Sequence, residues 1–162
     1  MLFLQWELGF QTYREYTKYG TIQDMKKEKS AKKVKVKRSP HGGLGLYADE
    51  SIKKGEFVIE YVGELITNEE ADRRLGKYLF EINKTHTIDG RGRNNTARYI
   101  NHSCRPNCES DVKKGRIYIS AIKNITPGDE LTYDYGKEYF DEFLKGKCLC
   151  LKCQEKKKAA SK

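Results

Sequence analysis

Residues 101–108 of this 162-residue chain, NHSCRPNC, place chemically versatile side chains close together. The amide of Asn101 and the ring of His102 can donate and accept hydrogen bonds, and the thiol of Cys104 can bind a metal as a thiolate. Pro106 interrupts regular backbone hydrogen bonding. Ordinary core packing does not call for this mixture, so the stretch is a candidate site for binding a ligand or a metal.

Two further stretches could build a site together with it. Residues 41–48, HGGLGLYA, carry glycines that allow a ligand to approach the backbone closely. Residues 130–136, ELTYDYG, place Tyr133 and Tyr135 two residues apart, so both rings lie on the same face of a strand. Taken singly, the glycines are also typical of a plain turn and the tyrosines of core aromatics. Their occurrence in one chain with NHSCRPNC favours a functional role.

The cysteines predict a metal site. Three of the five, Cys148, Cys150 and Cys153, form C-x-C-x-x-C. Cysteines this close are poorly placed for disulfides among themselves but suit thiolate ligation of one ion. Structural zinc is usually four-coordinate, so three thiolates leave one position open, and Cys104 and Cys108 are the remaining cysteines. The clustering also indicates a reducing compartment.

Positive charge is concentrated in two flanking segments. The formal charge is +9 at pH 7; residues 26–38 contribute +7 and residues 152–162 contribute +4, which leaves −2 for the rest. Such basic runs are usually solvated, and the alternative is contact with nucleic acid. The slightly acidic remainder is compatible with a basic peptide as ligand.

The sequence predicts neither a membrane-spanning helix nor a secretory signal. The apolar N-terminus, MLFLQWELGFQTY, is interrupted by Glu7, and no basic residue precedes it. Together with the clustered cysteines, this indicates an intracellular protein without membrane contact.

Hydrophobic periodicity predicts a single β-rich domain with helical inserts. Period-two alternation bounded by turn residues predicts short strands at 34–37, 45–48, 56–63, 78–82, 116–122 and 130–135. Helices are expected at 2–21, 67–76 and 137–146. The second of these begins with Thr67 and Glu70, which form a capping-box signature.

The combination of these segments resembles the SET-domain protein lysine methyltransferases. The matching pieces are GLGLYA, IEYVGELIT, ARYINHSCRPNC and PGDELTYDYG, followed by a cysteine cluster like that of a post-SET segment. The resemblance implies a mainly β, β-clip-like SET fold, with short strands in small sheets. A knot-like C-terminal crossing would bring NHSC and ELTYDY together. The implied domains are an N-terminal helix and lysine-rich linker (1–32), the SET domain (33–137), a post-SET-like zinc segment (138–155) and a basic tail (156–162).

The same resemblance implies roles for individual residues. Tyr135 corresponds to the catalytic tyrosine of the family, while Tyr61 and Tyr133 correspond to positions that line the lysine channel. S-adenosylmethionine would be bound by the residues at six positions: Gly43, Leu44, Gly45, Arg98, Asn101 and His102. One structural zinc ion would be held by Cys104, Cys148, Cys150 and Cys153, with Cys108 as the competing fourth ligand and otherwise a small buried residue.

Some features depart from the family pattern. Two residues precede the last cysteine of the cluster, where four are more common, and Asn94-Asn95 stands where Gly-Asn is common. The segment between Arg74 and Asp89, which shapes the peptide groove in the family, is short. The identity of the substrate is therefore not readable from this sequence.

The function expected from the sequence is S-adenosylmethionine-dependent methylation of a lysine in a basic protein tail such as a histone, with monomethyl-lysine as the product. The alternative is a catalytically silent, zinc-stabilised basic module that binds chromatin or nucleic acid. We expect a monomer, with a dimer as the alternative. The expected location is the nucleus or chromosome in a eukaryote, and the cytoplasm or a host cell in a bacterium.

Overall fold

The computed structural model describes residues 31–40 and 42–160. The helix predicted at 2–21 and the first part of the lysine-rich linker lie outside these residues. The described residues form ten short strands: β1 (Val34–Arg38), β2 (Leu44–Ala48), β3 (Phe57–Tyr61), β4 (Glu64–Thr67), β5 (Leu79–Glu81), β6 (His86–Asp89), β7 (Asn101–His102), β8 (Cys108–Lys113), β9 (Arg116–Ala121) and β10 (Thr132–Tyr133).

Helical segments are few and short in the same part of the chain. They are α1 (Asn68–Arg74), a 3₁₀ turn (Thr96–Tyr99), α2 (Lys137–Tyr139), which continues as a π-helical turn (Phe140–Leu144), and α3 (Leu151–Ala160). None of these helices combines the length and the apolar composition needed to cross a bilayer.

The strands of the described residues pair in four small sheets. Strands β1 and β2 form an antiparallel hairpin, and two three-stranded antiparallel sheets have the orders β3-β9-β8 and β4-β6-β5. The fourth sheet is a parallel pair, β7 with β10, in which Asn101 lies opposite Thr132 and His102 opposite Tyr133. The predicted fold class, short strands in small sheets, is confirmed.

The core forms where one face of each sheet meets the others. In β9, Ile117, Ile119 and Ala121 are buried and alternate with half-buried residues, as expected for a strand with one face in the core. Leu46 of β2 and Val58 of β3 are fully buried in the same cluster. Burying each of these leucine, isoleucine and valine side chains contributes about 1.5–3 kcal/mol.

Several elements differ from the sequence-based expectation. Strand β8 was not predicted because its sequence, CESDVK, is mostly polar; it is an edge strand that pairs only with β9, so one side faces solvent. Strand β6, HTID, is central in its sheet although it buries Thr87 and Asp89. Helix α3 was also unexpected, because its sequence has no apolar stripe. Of the strand predicted at 130–135, only β10 forms.

Helix α1 begins as predicted but shorter. The side chain of Thr67 accepts a hydrogen bond from the Glu70 N–H at 3.2 Å, which is the N-cap interaction. The Glu70 carboxylate pairs with Arg74 and Arg73 further along the helix. The helix ends at Arg74, since Leu75 adopts a left-handed conformation with φ of 46°.

We expect Asn95→Ala to lower the free energy of unfolding by about 2–5 kcal/mol, because one buried and one half-buried backbone group would lose their partners. The Asn95 side chain is fully buried; its Oδ1 accepts from the Val62 N–H at 3.3 Å and its Nδ2 donates to the Gly90 carbonyl at 3.0 Å. Urea unfolding measures the change. The exposed neighbour Asn94 offers the control, and equal stability of Asn94→Ala and Asn95→Ala would contradict this role.

A candidate active site beside a four-cysteine cluster

A cavity of about 950 Å³ gathers most of the residues singled out in the sequence. It lies between the loop that precedes β2, strand β5, the segment 98–101 and the segment 133–143. Seven of the nine residues expected at the catalytic and cofactor sites line it, namely Gly43, Leu44, Tyr61, Arg98, Asn101, Tyr133 and Tyr135. Gly45 and His102 do not line it.

The parallel pairing of β7 and β10 brings the NHSC and ELTYDY stretches side by side. The pairing continues past the strands, because the Ser103 N–H donates to the Tyr133 carbonyl at 3.1 Å. Asn107 ties the same two segments further along: its Nδ2 donates to the Glu130 carbonyl at 2.8 Å and its Oδ1 accepts from the Thr132 N–H at 2.8 Å. Residues about thirty positions apart are thereby fixed on one wall of the cavity.

Aromatic rings form a continuous wall in this cavity. The ring centroids of Tyr133 and Tyr135 are 4.9 Å apart, and Tyr139 follows at 5.2 Å from Tyr135. Phe80 lies 6.3 Å from Tyr133 and 5.5 Å from Tyr61. Such a wall can pack around the aliphatic stem of a lysine and exclude water from its amine.

Two of the three expected channel tyrosines have fixed hydroxyls. The Tyr61 hydroxyl donates to the Tyr78 carbonyl and the Tyr135 hydroxyl donates to the Ile100 carbonyl, both at 2.8 Å. The hydroxyl of Tyr133 has no hydrogen-bond partner among the described residues, although its side chain is buried. Burial raises the pKa of all three phenols above their ordinary value, so they stay neutral near pH 7.

The amide of Asn101 has a defined orientation. Its Nδ2 donates to the Leu44 carbonyl at 3.1 Å and to the Glu130 carboxylate at 2.7 Å. Both of those groups can only accept, so the amide nitrogen must face them. The amide oxygen has no partner among the described residues and is left to accept a hydrogen bond from a ligand.

Arg98 also lines the cavity and is held there by several contacts. Its guanidinium lies over the rings of Tyr78 and Tyr99, with distances of 4.4 and 5.0 Å to the centroids. Nη1 donates to the carbonyls of Arg91 and Gly92. Nε is buried and is the one buried side-chain nitrogen or oxygen of the described residues without a hydrogen-bond partner. Arg98 is therefore both a brace for the cavity wall and a source of an unused donor.

The ring of His102 lies behind the cavity. Nδ1 accepts a hydrogen bond from the Tyr135 N–H at 3.2 Å, which leaves the proton on Nε2, 3.3 Å from the Cys104 sulphur. Burial lowers the pKa of this ring, although Asp134 opposes the shift. His102 therefore connects the backbone of Tyr135 to a cysteine of the cluster. Any contact between His102 and a cofactor would have to use its backbone.

Four cysteine sulphurs meet beside this histidine. The Sγ atoms of Cys104, Cys148, Cys150 and Cys153 all lie within 4.8 Å of one another. The Cys104 and Cys153 sulphurs are 3.7 Å apart, and four thiolates around a tetrahedral zinc ion at about 2.3 Å are separated by roughly 3.8 Å. Cys108 is fully buried in the main core and does not belong to the group. The donor set fits one zinc ion.

The surroundings lower the pKa of the Cys150 thiol but raise the pKa of the Cys104 and Cys148 thiols. Burial raises the pKa of Cys150, but hydrogen bonds from the backbone N–H groups of Cys104 and Cys153 outweigh it, and the pKa is lowered to about 7. Burial raises the pKa of Cys104, whose sulphur also neighbours the other thiols. A bound cation would favour the thiolate form of all four cysteines, because it stabilises the deprotonated sulphurs at once.

Four residues of the site carried no functional assignment from sequence. Tyr78, Phe80 and Tyr139 line the cavity, and Glu130 orients Asn101. Alternation placed the first two in a strand and helical spacing placed Tyr139 on an apolar stripe, but neither pattern separates a core ring from a channel ring. Glu130 sits in the ELTYDYG stretch, where a lone acidic residue at the start of a strand has no distinguishing signal.

Comparison with known proteins agrees with this arrangement. The SET domain family model matches residues 43–136, more than half of the chain. Histone-lysine N-methyltransferase 2D of Homo sapiens is 43% identical over 72% of this chain, and histone-lysine N-methyltransferase trithorax of Drosophila melanogaster is 39% identical over 85%. The chain spans 2% and 4% of the lengths of these two relatives.

A solved structure shares the fold. A chain of polycomb repressive complex 2 of Chaetomium thermophilum, in an autoinhibited conformation bound to S-adenosylmethionine, is similar with a TM-score of 0.58 and 37% identity. The match covers 66% of this chain and 15% of that chain. The motifs, the sheet topology and these similarities agree, and the chain belongs to the SET-domain family.

Proposed function

We propose that this chain is an S-adenosylmethionine-dependent protein-lysine N-methyltransferase domain. The observation that carries the proposal is the meeting, in one cavity, of the Gly43–Leu44 loop, the Asn101 side chain and the adjacent rings of Tyr133 and Tyr135. The relatives named as histone-lysine N-methyltransferases support it. Because the chain spans a small part of those proteins, its own activity has to be tested directly.

The cavity suits S-adenosylmethionine, which when bound supplies an electrophilic methyl group on a positively charged sulphur. Gly43 has a φ of 70° and open space where a side chain would be, so its backbone can lie against a ligand. The amide oxygen of Asn101 can accept from the ligand ammonium.

The aromatic wall would prepare the lysine. A free lysine amine has a pKa of about 10.4 and must lose its proton to act as a nucleophile. Burial between the rings of Tyr61, Phe80 and Tyr133 disfavours the ammonium form. The Tyr135 hydroxyl donates to the Ile100 carbonyl, so its oxygen lone pairs can hold the amine in line. Since burial keeps this phenol protonated, Tyr135 orients the amine and water carries the proton away.

Cys104, Cys148, Cys150 and Cys153 would hold one structural zinc ion. The ion would tie the C-terminal segment to β7, which carries Asn101 and His102. Its contribution is to folding and positioning rather than to the reaction, because four thiolates fill a tetrahedral shell and leave no position for substrate.

The substrate we propose is a lysine in a basic, histone-like tail. Glu81, Asp134, Glu138 and Glu142 are among the residues that line the cavity, and they can pair with basic residues that flank the target lysine. The lysine-rich flanks of the chain are candidates for nucleic-acid contact, which would place the substrate near the site in chromatin. By this proposal the protein acts in the nucleus if its source is a eukaryote.

The direct test is methyl transfer from labelled S-adenosylmethionine to histones and to histone-derived peptides. We expect the purified chain to bind the cofactor in calorimetry and to label lysine in at least one basic substrate. Cofactor binding without transfer to any histone, basic protein or peptide array would remove the enzyme proposal and favour a non-catalytic chromatin module. Mass spectrometry of the chain itself in the same reaction detects methylation of its own lysine-rich flanks.

We expect monomethyl-lysine as the main product, with a shift toward di- and trimethyl-lysine in Tyr133→Phe. The unpartnered Tyr133 hydroxyl, or a water that it holds, occupies room that a methylated amine needs in order to turn toward the methyl donor. Losing such a polar contact in a buried site costs on the order of 1–3 kcal/mol, which slows a second transfer by about 5- to 150-fold. Mass spectrometry of a peptide at long reaction times measures the product ratio.

One product pattern would contradict the role of Tyr133. Ready formation of trimethyl-lysine by the wild-type protein would mean that Tyr133 does not limit the number of transfers. Tyr118→Phe removes a hydroxyl outside the cavity and is the control that should leave the product ratio unchanged.

A further inference from the structure

The Glu130 carboxylate accepts hydrogen bonds from three side chains that lie far from it in the sequence. Asn101 Nδ2 donates to Oε1 at 2.7 Å, while the hydroxyls of Ser39 and Tyr47 donate to Oε2 at 3.0 and 3.1 Å. Backbone pairing between Tyr47 and Glu130 holds the carboxylate in place. Three segments of the fold, at the end of β1, in β2 and in β7, are therefore joined at one anion.

The bond to Asn101 helps to fix the orientation of that amide. Without an acceptor at Glu130, only the longer bond to the Leu44 carbonyl would hold the amide nitrogen in place. With the carboxylate present, two acceptors hold the nitrogen, so the oxygen stays on the side away from both of them. Glu130 itself does not line the cavity, so it acts on a ligand only through its neighbours.

The bond to Ser39 reaches the glycine loop. Ser39 N–H donates to the Gly43 carbonyl at 3.0 Å, and the Gly42 N–H donates to the Ser39 carbonyl at 3.2 Å. These bonds close the turn whose Gly42 and Gly43 line the cavity. By holding the Ser39 side chain, Glu130 anchors this turn as well.

The Glu130 carboxylate explains why position 45 is a glycine. A β-carbon at this position would collide with the Glu130 carboxylate and crowd the Asn101 amide. Gly45 does not line the cavity, so its lack of a side chain serves the carboxylate rather than a ligand.

We propose that Glu130 is the positioning residue of the cofactor site: one carboxylate sets the orientation of the Asn101 amide and anchors the Gly42–Gly43 turn. The inference rests on the proposed function, because it assigns the cavity to S-adenosylmethionine. It predicts that changes at Glu130 alter cofactor affinity through Asn101 and leave the peptide and the metal unaffected.

The test is a double-mutant cycle on Asn101 and Glu130, read by calorimetry with S-adenosylmethionine. Glu130→Ala is expected to weaken cofactor binding by about 10- to 100-fold, because the amide loses the shorter of its two bonds and the glycine turn loses its anchor. Glu130→Gln should weaken it by no more than about 5-fold. Its oxygen can still accept from Asn101, while its amino group donates to the hydroxyls of Ser39 and Tyr47, which can also accept.

The decisive comparison makes the same Glu130→Gln change in an Asn101→Asp background. There it should strengthen cofactor binding instead of weakening it. Asn101→Asp places two carboxylates against each other and should weaken binding by more than about 100-fold. In that background Glu130→Gln should recover about 10-fold or more, because the glutamine amide can donate to the new carboxylate. A harmful substitution that becomes beneficial next to its partner is not expected from a general loss of stability.

Control variants separate the positioning role of Glu130 from the methyltransferase proposal on which it rests. Glu109→Ala and Glu109→Gln remove an exposed charge on β8 and should bind the cofactor as the wild type does. In all Glu130 variants KM for S-adenosylmethionine should rise while KM for the peptide and the zinc content stay constant. If Glu130→Ala does not fold, the Asn101→Asp pair decides.

Wild-type affinity in Glu130→Ala, or no recovery in the double variant, would overturn the positioning role and leave the methyltransferase proposal standing. A wild-type protein that does not bind S-adenosylmethionine would overturn both.

Discussion

Tyr135→Phe is expected to lose at least about 100-fold in turnover while S-adenosylmethionine affinity stays within a few-fold of the wild type. The Tyr135 hydroxyl is held by the Ile100 carbonyl, and its ring packs between Tyr133 and Tyr139. Removing the oxygen keeps the ring and the channel shape but deletes the group that we propose orients the amine. Single-turnover rates measure the chemical step, and calorimetry measures cofactor binding.

The control for this prediction is Tyr118→Phe, which deletes a phenol oxygen on β9 away from the cavity and should keep wild-type rates. Because burial raises the pKa of Tyr135, its hydroxyl stays protonated through neutral pH. A rise of the rate with pH in that range therefore reports the lysine. Wild-type turnover by Tyr135→Phe would remove Tyr135 from the catalytic assignment.

Cys150→Ser is expected to lose its metal and to release the C-terminal segment. Loss of one of four thiolates should weaken zinc binding by at least about 100-fold, since ligation energy of this kind is folding energy. Helix α3 has no apolar stripe, so it gains little from burial. Polar contacts tie it to the rest of the described chain, among them Cys153 with Cys104, Lys152 with the Cys104 carbonyl and Glu155 with Arg105.

Elemental analysis and competition with a chromophoric chelator measure the zinc, and hydrogen exchange of residues 148–160 measures the release of the segment. We expect turnover to fall with the metal, because His102 links Cys104 to the backbone of Tyr135. Cys108→Ser is the matched control and should keep its zinc, since that sulphur lies in the main core. Full zinc in Cys104→Ser with none in Cys108→Ser would reverse the choice of the fourth ligand.

The chemistry of this site was readable in the sequence wherever residue types are rare and close together. Cys148, Cys150 and Cys153 predicted a thiolate cluster because their spacing rules out most disulfides, and the four sulphurs meet as expected. The strands of the core were also predictable, because burying one face of a strand imposes alternation, as in β9. The short polar strands β6 and β8 were missed because neighbouring strands and buried polar contacts stabilise them rather than their own pattern.

The sequence by itself determined the family, the strand-rich fold class and thirteen candidate site residues, since local composition and motif spacing carry that information. Tertiary structure alone decided how they are used. It turned His102 away from the cavity toward Cys104, gave Gly45 the task of making room for Glu130, and brought Phe80 and Tyr139 into the channel wall. These roles depend on contacts between segments distant along the chain, and the orientation of a side chain toward such a partner leaves no periodic signal in the sequence around it.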